Sequence, residues 1–238
     1  MSLPRLGSVI GALTLAGIAR GGVVHRDVDR FVRVDFSTPP APALLQQNAS
    51  DGFWDATVSD AVFDDLSGAF ASGTAFQRSN LTALGVSMVG SVSANASTDG
   101  FVSASTELHS LISVDEATSY RASAELFDLF LGNPDLSFAA SLVAEGGRGE
   151  VIWSASSSDV FLPGTGSFSF GVQTGELAPG DYRFSMRIAA GGFKDAITES
   201  GFNVQLVIPA PAGGGVFAGV GLMAGRRRAR GRTRVGST

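Results

Sequence analysis

Along much of this 238-residue chain, hydrophobic and polar residues alternate with a period of two. Successive side chains of a strand point to opposite faces, so this is the signature of strands buried on one side. In FVRVDF (31–36), Phe31, Arg33 and Asp35 fall on one face and Val32, Val34 and Phe36 on the other. FSMRIA (184–189) directs Phe184, Met186 and Ile188 one way, and FNVQLVI (202–208) does so with Phe202, Val204, Leu206 and Ile208. SFSFGV (167–172) groups Phe168, Phe170 and Val172. Turn formers separate such runs: GNPD (132–135), GGRG (146–149), PGTG (163–166) and APGD (178–181). This spacing predicts an all-β fold, a Greek-key or jelly-roll β-sandwich of about ten strands.

Two local patterns refine the picture. LAPGDY (177–182) has the form Leu-x-Pro-Gly-x-Tyr and runs into an alternating segment. It resembles the tyrosine corner of Greek-key sandwiches, in which the Tyr hydroxyl bonds to backbone a few residues upstream. Pro179 and Gly180 suit the central positions of a type II turn. EATSYRASAEL (116–126) echoes APGDYRFSMRI (178–188) through Tyr-Arg-x-Ser, which suggests equivalent strands in two sheets. Elsewhere the alternation weakens. Val58, Val62, Leu66 and Phe70 lie four apart and predict a helical turn near 59–67 within a strand region, and 37–50, with TPPAPA, reads as a loop.

The two ends depart from this pattern. MSLPRLGSVIGALTLAGIARGG carries Arg5, an uncharged apolar stretch from Leu6 to Ala19, and small residues at Ala19 and Gly21. Charged start, short apolar middle and small-residue exit make a secretory signal peptide over residues 1–21. A buried core helix is the alternative, but the early glycines and proline disfavour it. At the other end, Leu206 to Gly225 is uncharged, and arginines follow at 226, 227, 228, 230, 232 and 234. Pro209 and Pro211 limit any helix there to about Gly213–Gly225, short and Gly-rich. A membrane stop held by Arg226, Arg227, Arg228 and Arg230 on the cytoplasmic side follows from the positive-inside rule. The exported sandwich then spans 22–208 and the anchor segment 209–238.

Charge sharpens the division. Between residues 21 and 225 only nine basic residues face 22 acidic ones, a net charge of about −13. So acidic a body repels phosphate backbones, and nucleic acid is not an expected partner. No cysteine is present, which excludes disulfides, thiol catalysis and Cys-type zinc sites. High Gly and Ser content suits either a turn-rich β domain or a partly disordered chain.

Candidate chemistry is sparse. Gly-x-Ser-x-Gly, phosphate loops and Rossmann glycines are missing. Of the two histidines, His25 is expected in a mobile terminus, and His109 alternates with leucines in a strand. Asp51, Asp55, Asp60, Asp64 and Asp65 cluster beside Trp54, but without EF-hand spacing, so they read as solvated surface and no metal or cofactor is expected. Trp54 and Tyr120 are the candidates for stacking on sugar rings, while Trp153 reads equally well as core.

Proline motif, short apolar segment and terminal arginine cluster together resemble a PEP-CTERM sorting signal, over about residues 207–234. Pro209, Ala210 and Pro211 stand at the Pro-Glu-Pro position, with Ala210 in place of Glu. The resemblance implies export, recognition by an exosortase-like membrane transpeptidase, and a place among surface or matrix proteins of bacteria that make exopolysaccharide. The body is similar in style to uncharacterised carriers of this signal. The resulting expectation is a non-enzymatic structural or adhesive surface protein. A carbohydrate-binding module for exopolysaccharide is the alternative, distinguished by whether Trp54 and Tyr120 share an exposed face, and a secreted hydrolase is a third.

Overall fold

The computed structural model describes residues 23–36, 44–65, 68–97, 100–131, 135–146, 148–160, 162–193 and 195–209. The expected signal helix and the apolar helix after residue 209 lie outside these residues. Twelve strands follow in order: β1 (Val24–Phe36), β2 (Leu44–Asn48), β3 (Gly52–Asp64), β4 (Ala69–Thr82), β5 (Gly85–Ala96), β6 (Phe101–Val114), β7 (Thr118–Leu131), β8 (Leu136–Ala144), β9 (Val151–Ser156), β10 (Thr165–Leu177), β11 (Gly180–Phe193) and β12 (Ala196–Val207). A single 3-10 turn, Ser157–Asp159, follows β9.

The strands form two antiparallel six-stranded sheets packed as a β-sandwich. The first has the order β2-β1-β6-β11-β8-β9, the second β10-β7-β12-β5-β4-β3. The last eight strands nest: β5 pairs with β12, β6 with β11, β7 with β10, and β8 with β9, the pairs alternating between sheets. β1 and β2 extend the first sheet past β6, and β3 and β4 extend the second past β5.

The period-two faces fill one shared core. Val32, Val34, Phe184, Ile188, Phe202 and Val204 are fully enclosed. Each such side chain contributes about 1.5–3 kcal/mol by leaving water. Small residues let the sheets approach. At Gly73 in β4 a Cβ would lie 2.7 Å from Val34 Cγ1 and 2.9 Å from Val102 Cγ2, both on the facing sheet, so these valines occupy what a side chain would need.

Bulges change which residues face inward. In β1, Arg26 pairs with Leu111 but Asp29 with His109, so one extra residue is accommodated, with Asp27 at φ 47°. The inward set switches from Val23 and His25 to Val28, Arg30, Val32 and Val34. A corresponding break in β7 places Asp128 at φ 51°. β10 breaks register between Ser169 and Val172, with Gly171 at φ 82°. Phe168 and Phe170 therefore pack against the core, but Val172 is turned to solvent, contrary to the simple alternation.

Four further expectations change. Among the described residues the strands number twelve, not about ten. No helical turn forms at 59–64, because β3 runs to Asp64. A spacing of four is an even number and fits a strand face as well as a helix face. Residues 44–48 of the expected loop form β2, paired with β1, while 37–43 lie outside the described residues. His25 belongs to β1 and not to a mobile terminus.

Candidate functional site

The tyrosine corner is present. Tyr182 Oη donates to Ala178 O at 2.7 Å, four residues upstream, with the ring buried. Burial raises the Tyr182 pKa, with the nearby Glu150 charge adding to it. Gly180 has φ 157°, far from the value of about 80° in a type II turn, and already opens β11. The echoed Tyr120 stands third in β7 as Tyr182 stands third in β11, one in each sheet. Its hydroxyl donates to Ile152 O at 3.1 Å, joining β7 to β9 across the sandwich, and accepts from Gln173 Nε2 at 3.0 Å. Room for the ring comes from Gly175 opposite, where a Cβ would meet Tyr120 Cε1 at 2.7 Å.

Trp54 and Tyr120 do not meet on an exposed face. Trp54 is 9% and Tyr120 5% exposed, and β3 and β7 are separated by β4, β5 and β12. At about 4.8 Å per strand step the two strands are roughly 19 Å apart, and Tyr120 is displaced four more residues along β7 from the position opposite Trp54. Both positions fall on the inward period, where a large ring is worth more as core than as a platform. Trp153 is likewise core.

Trp54 instead lies under a buried cation. Arg30 is fully enclosed, its guanidinium carbon 5.5 Å from the Trp54 ring centroid. Nη1 donates to Gly52 O at 3.0 Å and Ser79 Oγ at 3.1 Å, and Nη2 to Ser50 O and to Asp51 O at 3.4 Å. Nε has no partner among the described residues. Burial lowers the Arg30 pKa, and the Asp51 charge opposes that shift. The chain of polar groups continues inward: Gln77 Nε2 donates to Ser79 Oγ at 3.2 Å, and Thr106 Oγ1 donates to Gln77 Oε1. Arg30 thereby fastens the β2–β3 connection to the interior. The sequence signal was the phase of Val34 and Val32, which lands on Arg30.

On the outer face of the first sheet, a groove of about 350 Å³ is lined by Asp27, His109, Ser110, Leu111, Glu145, Asp181 and Arg183. Three of its charges, on Asp181, Glu145 and Arg183, are paired within the sheet. Arg183 Nε lies 2.6 Å from Glu145, and Arg26 Nη2 2.6 Å from Asp181. A hydrogen bond from Ser113 and the Arg26 charge lower the Asp181 pKa. His109 contacts Ser185 Oγ at 3.2 Å and Glu107 at 3.4 Å. Beneath the groove His25 donates from Nε2 to Thr82 O, which leaves Nδ1 to accept from Ser110 Oγ, both at 2.9 Å. This orients histidine as a base toward serine, but Ser110 is only 1% exposed. The same burial lowers the His25 pKa.

Both ends of the described chain meet at one end of the sandwich. The β4–β5 turn holds them together: Val23 N donates to Ala83 O at 3.1 Å, and Ile208 N to Leu84 O at 2.8 Å. Thr118 Oγ1 donates to Pro209 O at 2.8 Å. Ala210, Pro211 and the arginines at 226, 227, 228 and 230 lie outside the described residues. Among those described, no helix is long and apolar enough to cross a membrane.

No protein-family model and no curated protein matches the chain. Among solved structures, the enzymatically active domain of tailspike protein 4 from bacteriophage CBA120 aligns at 13% identity and a TM-score of 0.27, over 76% of this chain and 19% of that one. The structure of the infectious bursal disease virus Gx strain aligns at 11% and 0.21, covering 80% and 58%. The Gt strain of that virus aligns at 12% and 0.18, covering 81% and 67%. Likenesses at this level carry no argument about the fold or activity of this chain.

Proposed function

We propose that the chain is an exported cell-surface or extracellular-matrix protein with a structural or adhesive, non-enzymatic role. A signal peptide would direct it out, and a PEP-CTERM-like tail would hold or sort it at the membrane through an exosortase-like partner. The nested pairing of β5–β12 supports a jelly-roll reading of the sandwich. The observation that carries the proposal is the fastening of Val23 and Ile208 to the same turn. A domain tethered beyond Pro209 then turns that end to the membrane and presents both outer faces and the far end outward. The acidic body and the arginine-terminated tail fit opposite sides of a bilayer under the positive-inside rule.

Protease treatment of intact producing cells, read with an antibody to the sandwich, tests the reading. Display predicts that the sandwich epitope is shaved from whole cells while a cytoplasmic control survives. An epitope digested only after lysis would overturn it.

A further inference from the structure

The sandwich has four edge strands, and three of them carry features that discourage pairing with another chain. β2 has 5 residues and β9 has 6, while β10 is broken by two register shifts. β3 differs. Its 13 residues pair with β4 in one unbroken register, with no proline and no bulge.

The open side of β3 follows from hydrogen bonding. Phe70 bonds Ser97 through both its N–H and its C=O, so even-numbered residues of β4 face β5 and odd-numbered ones face β3. Through the β3–β4 register, even-numbered residues of β3 then bond to β4. Phe53, Asp55, Thr57, Ser59, Ala61 and Phe63 direct their backbone groups outward from the sheet. Consistently, Ala61 N–H is taken up by the Asp60 side chain at 2.8 Å.

In this edge, FWDATVSDAVF (53–63), Phe53 and Phe63, Trp54 and Val62, and Thr57 and Ser59 stand symmetrically about Val58, while Asp55 and Asp60 each stand against an alanine. We propose that β3 pairs antiparallel with β3 of a second copy of this chain, about a two-fold axis through Val58. Phe53 then stands opposite Phe63 of the other copy, and these two residues are 65% and 61% exposed in the single chain. Thr57 faces Ser59, Asp55 faces Ala61, Ala56 faces Asp60, Trp54 faces Val62, and Val58 faces itself. Within β3 no acidic residue is opposite or diagonal to another, Asp55 is already neutralised by Arg78 at 2.7 Å, and only beyond the strand ends does the axis set Asp51 against Asp65. Moving the register by two residues separates the phenylalanines, and moving it by one sets bonded groups against unbonded ones. The paired edge joins the two second sheets into one of twelve strands, a closed isologous contact that leaves no further copy to add along β3.

Sedimentation of the full chain in mild detergent tests the proposal, with a concentration-dependent monomer–dimer equilibrium expected. Ser59→Pro removes an N–H that β4 does not use, so it keeps the monomer's circular dichroism and weakens dimerisation by about tenfold or more. Register is read by oxidative cross-linking, since the chain has no cysteine of its own. A mixture of Thr57→Cys and Ser59→Cys chains forms a disulfide-linked dimer, whereas either variant alone does not, being diagonally displaced. If Ser59→Pro disturbs folding, the cysteine pair decides. A monomer throughout the micromolar range overturns the proposal, as does a dimer indifferent to Ser59→Pro in a folded chain, or equal cross-linking by the single variants.

Discussion

Arg30→Met removes the guanidinium while keeping a long apolar stem, and its cost follows from opposing effects. Arg30 donates hydrogen bonds to Gly52 O, Ser79 Oγ, Ser50 O and Asp51 O and sits over Trp54. Bonds from a charged donor contribute about 1.5–3 kcal/mol each when well formed, and a desolvated cation over Trp about 2 kcal/mol. Against this stands the cost of burying a cation with no carboxylate bonded to it, several kcal/mol. Nε adds to that cost because it has no partner. Ser50 and Asp51 are exposed residues whose carbonyls water can reach once the guanidinium is gone, which softens the loss. The balance is a destabilisation of about 2–3 kcal/mol, measurable as a fall in thermal midpoint of roughly 4–12 °C for a domain of this size. Arg30→Lys should cost at least as much, because an ammonium cannot span the same four acceptors and holds its water more tightly. Thermal and urea unfolding of both variants provide the assay. A Met variant as stable as the parent, or a Lys variant better than Met, would refute the idea that the guanidinium is retained for its bonds to the β2–β3 connection.

Tyr182→Phe deletes the bond to Ala178 O and should lower stability by about 1 kcal/mol in urea unfolding; an unchanged midpoint would mean the corner contributes nothing. Gly175→Ala places a Cβ where the Tyr120 ring now lies and should cost about 1–3 kcal/mol, with smaller loss when Tyr120→Phe is combined with it only if the hydroxyl, not the ring, is the obstacle. His25 has its pKa lowered by burial below the ordinary value of 6.5, so the folded state binds its proton less readily than the unfolded one. The stability this group contributes is therefore complete above pH 6.5 and lost as pH falls through the folded-state pKa, and His25→Gln should flatten that part of the pH profile.

The inward faces of β1, β11 and β12 were legible because Val, Met, Ile, Leu and Phe recur there at every second position. LAPGDY foretold its hydrogen bond because a short-range turn fixes where the hydroxyl can reach. The departures come from information that does not repeat. The bulges at Asp27 and Asp128 each shift the inward phase by one residue, and a charged stretch such as HRDVDR hides the shift. Arg30 sits on the inward phase, yet its burial depends on carbonyls 20 to 22 residues later. Trp54 and Tyr120 were plausible as sugar platforms by residue type alone; only the sheet order shows that three strands separate them. The long regular edge of β3 was equally unreadable, since an edge is a property of neighbours and not of a segment.

The claim on which the functional account rests is export. Intact-mass measurement of the protein taken from its native cells tests it most directly. Export predicts a chain that has lost its first 19 or 21 residues, beginning after Ala19 or Gly21, with the sandwich from Val23 onward intact. A population that retains Met1 and the whole apolar leader, recovered from the soluble interior of the cell, would contradict the account.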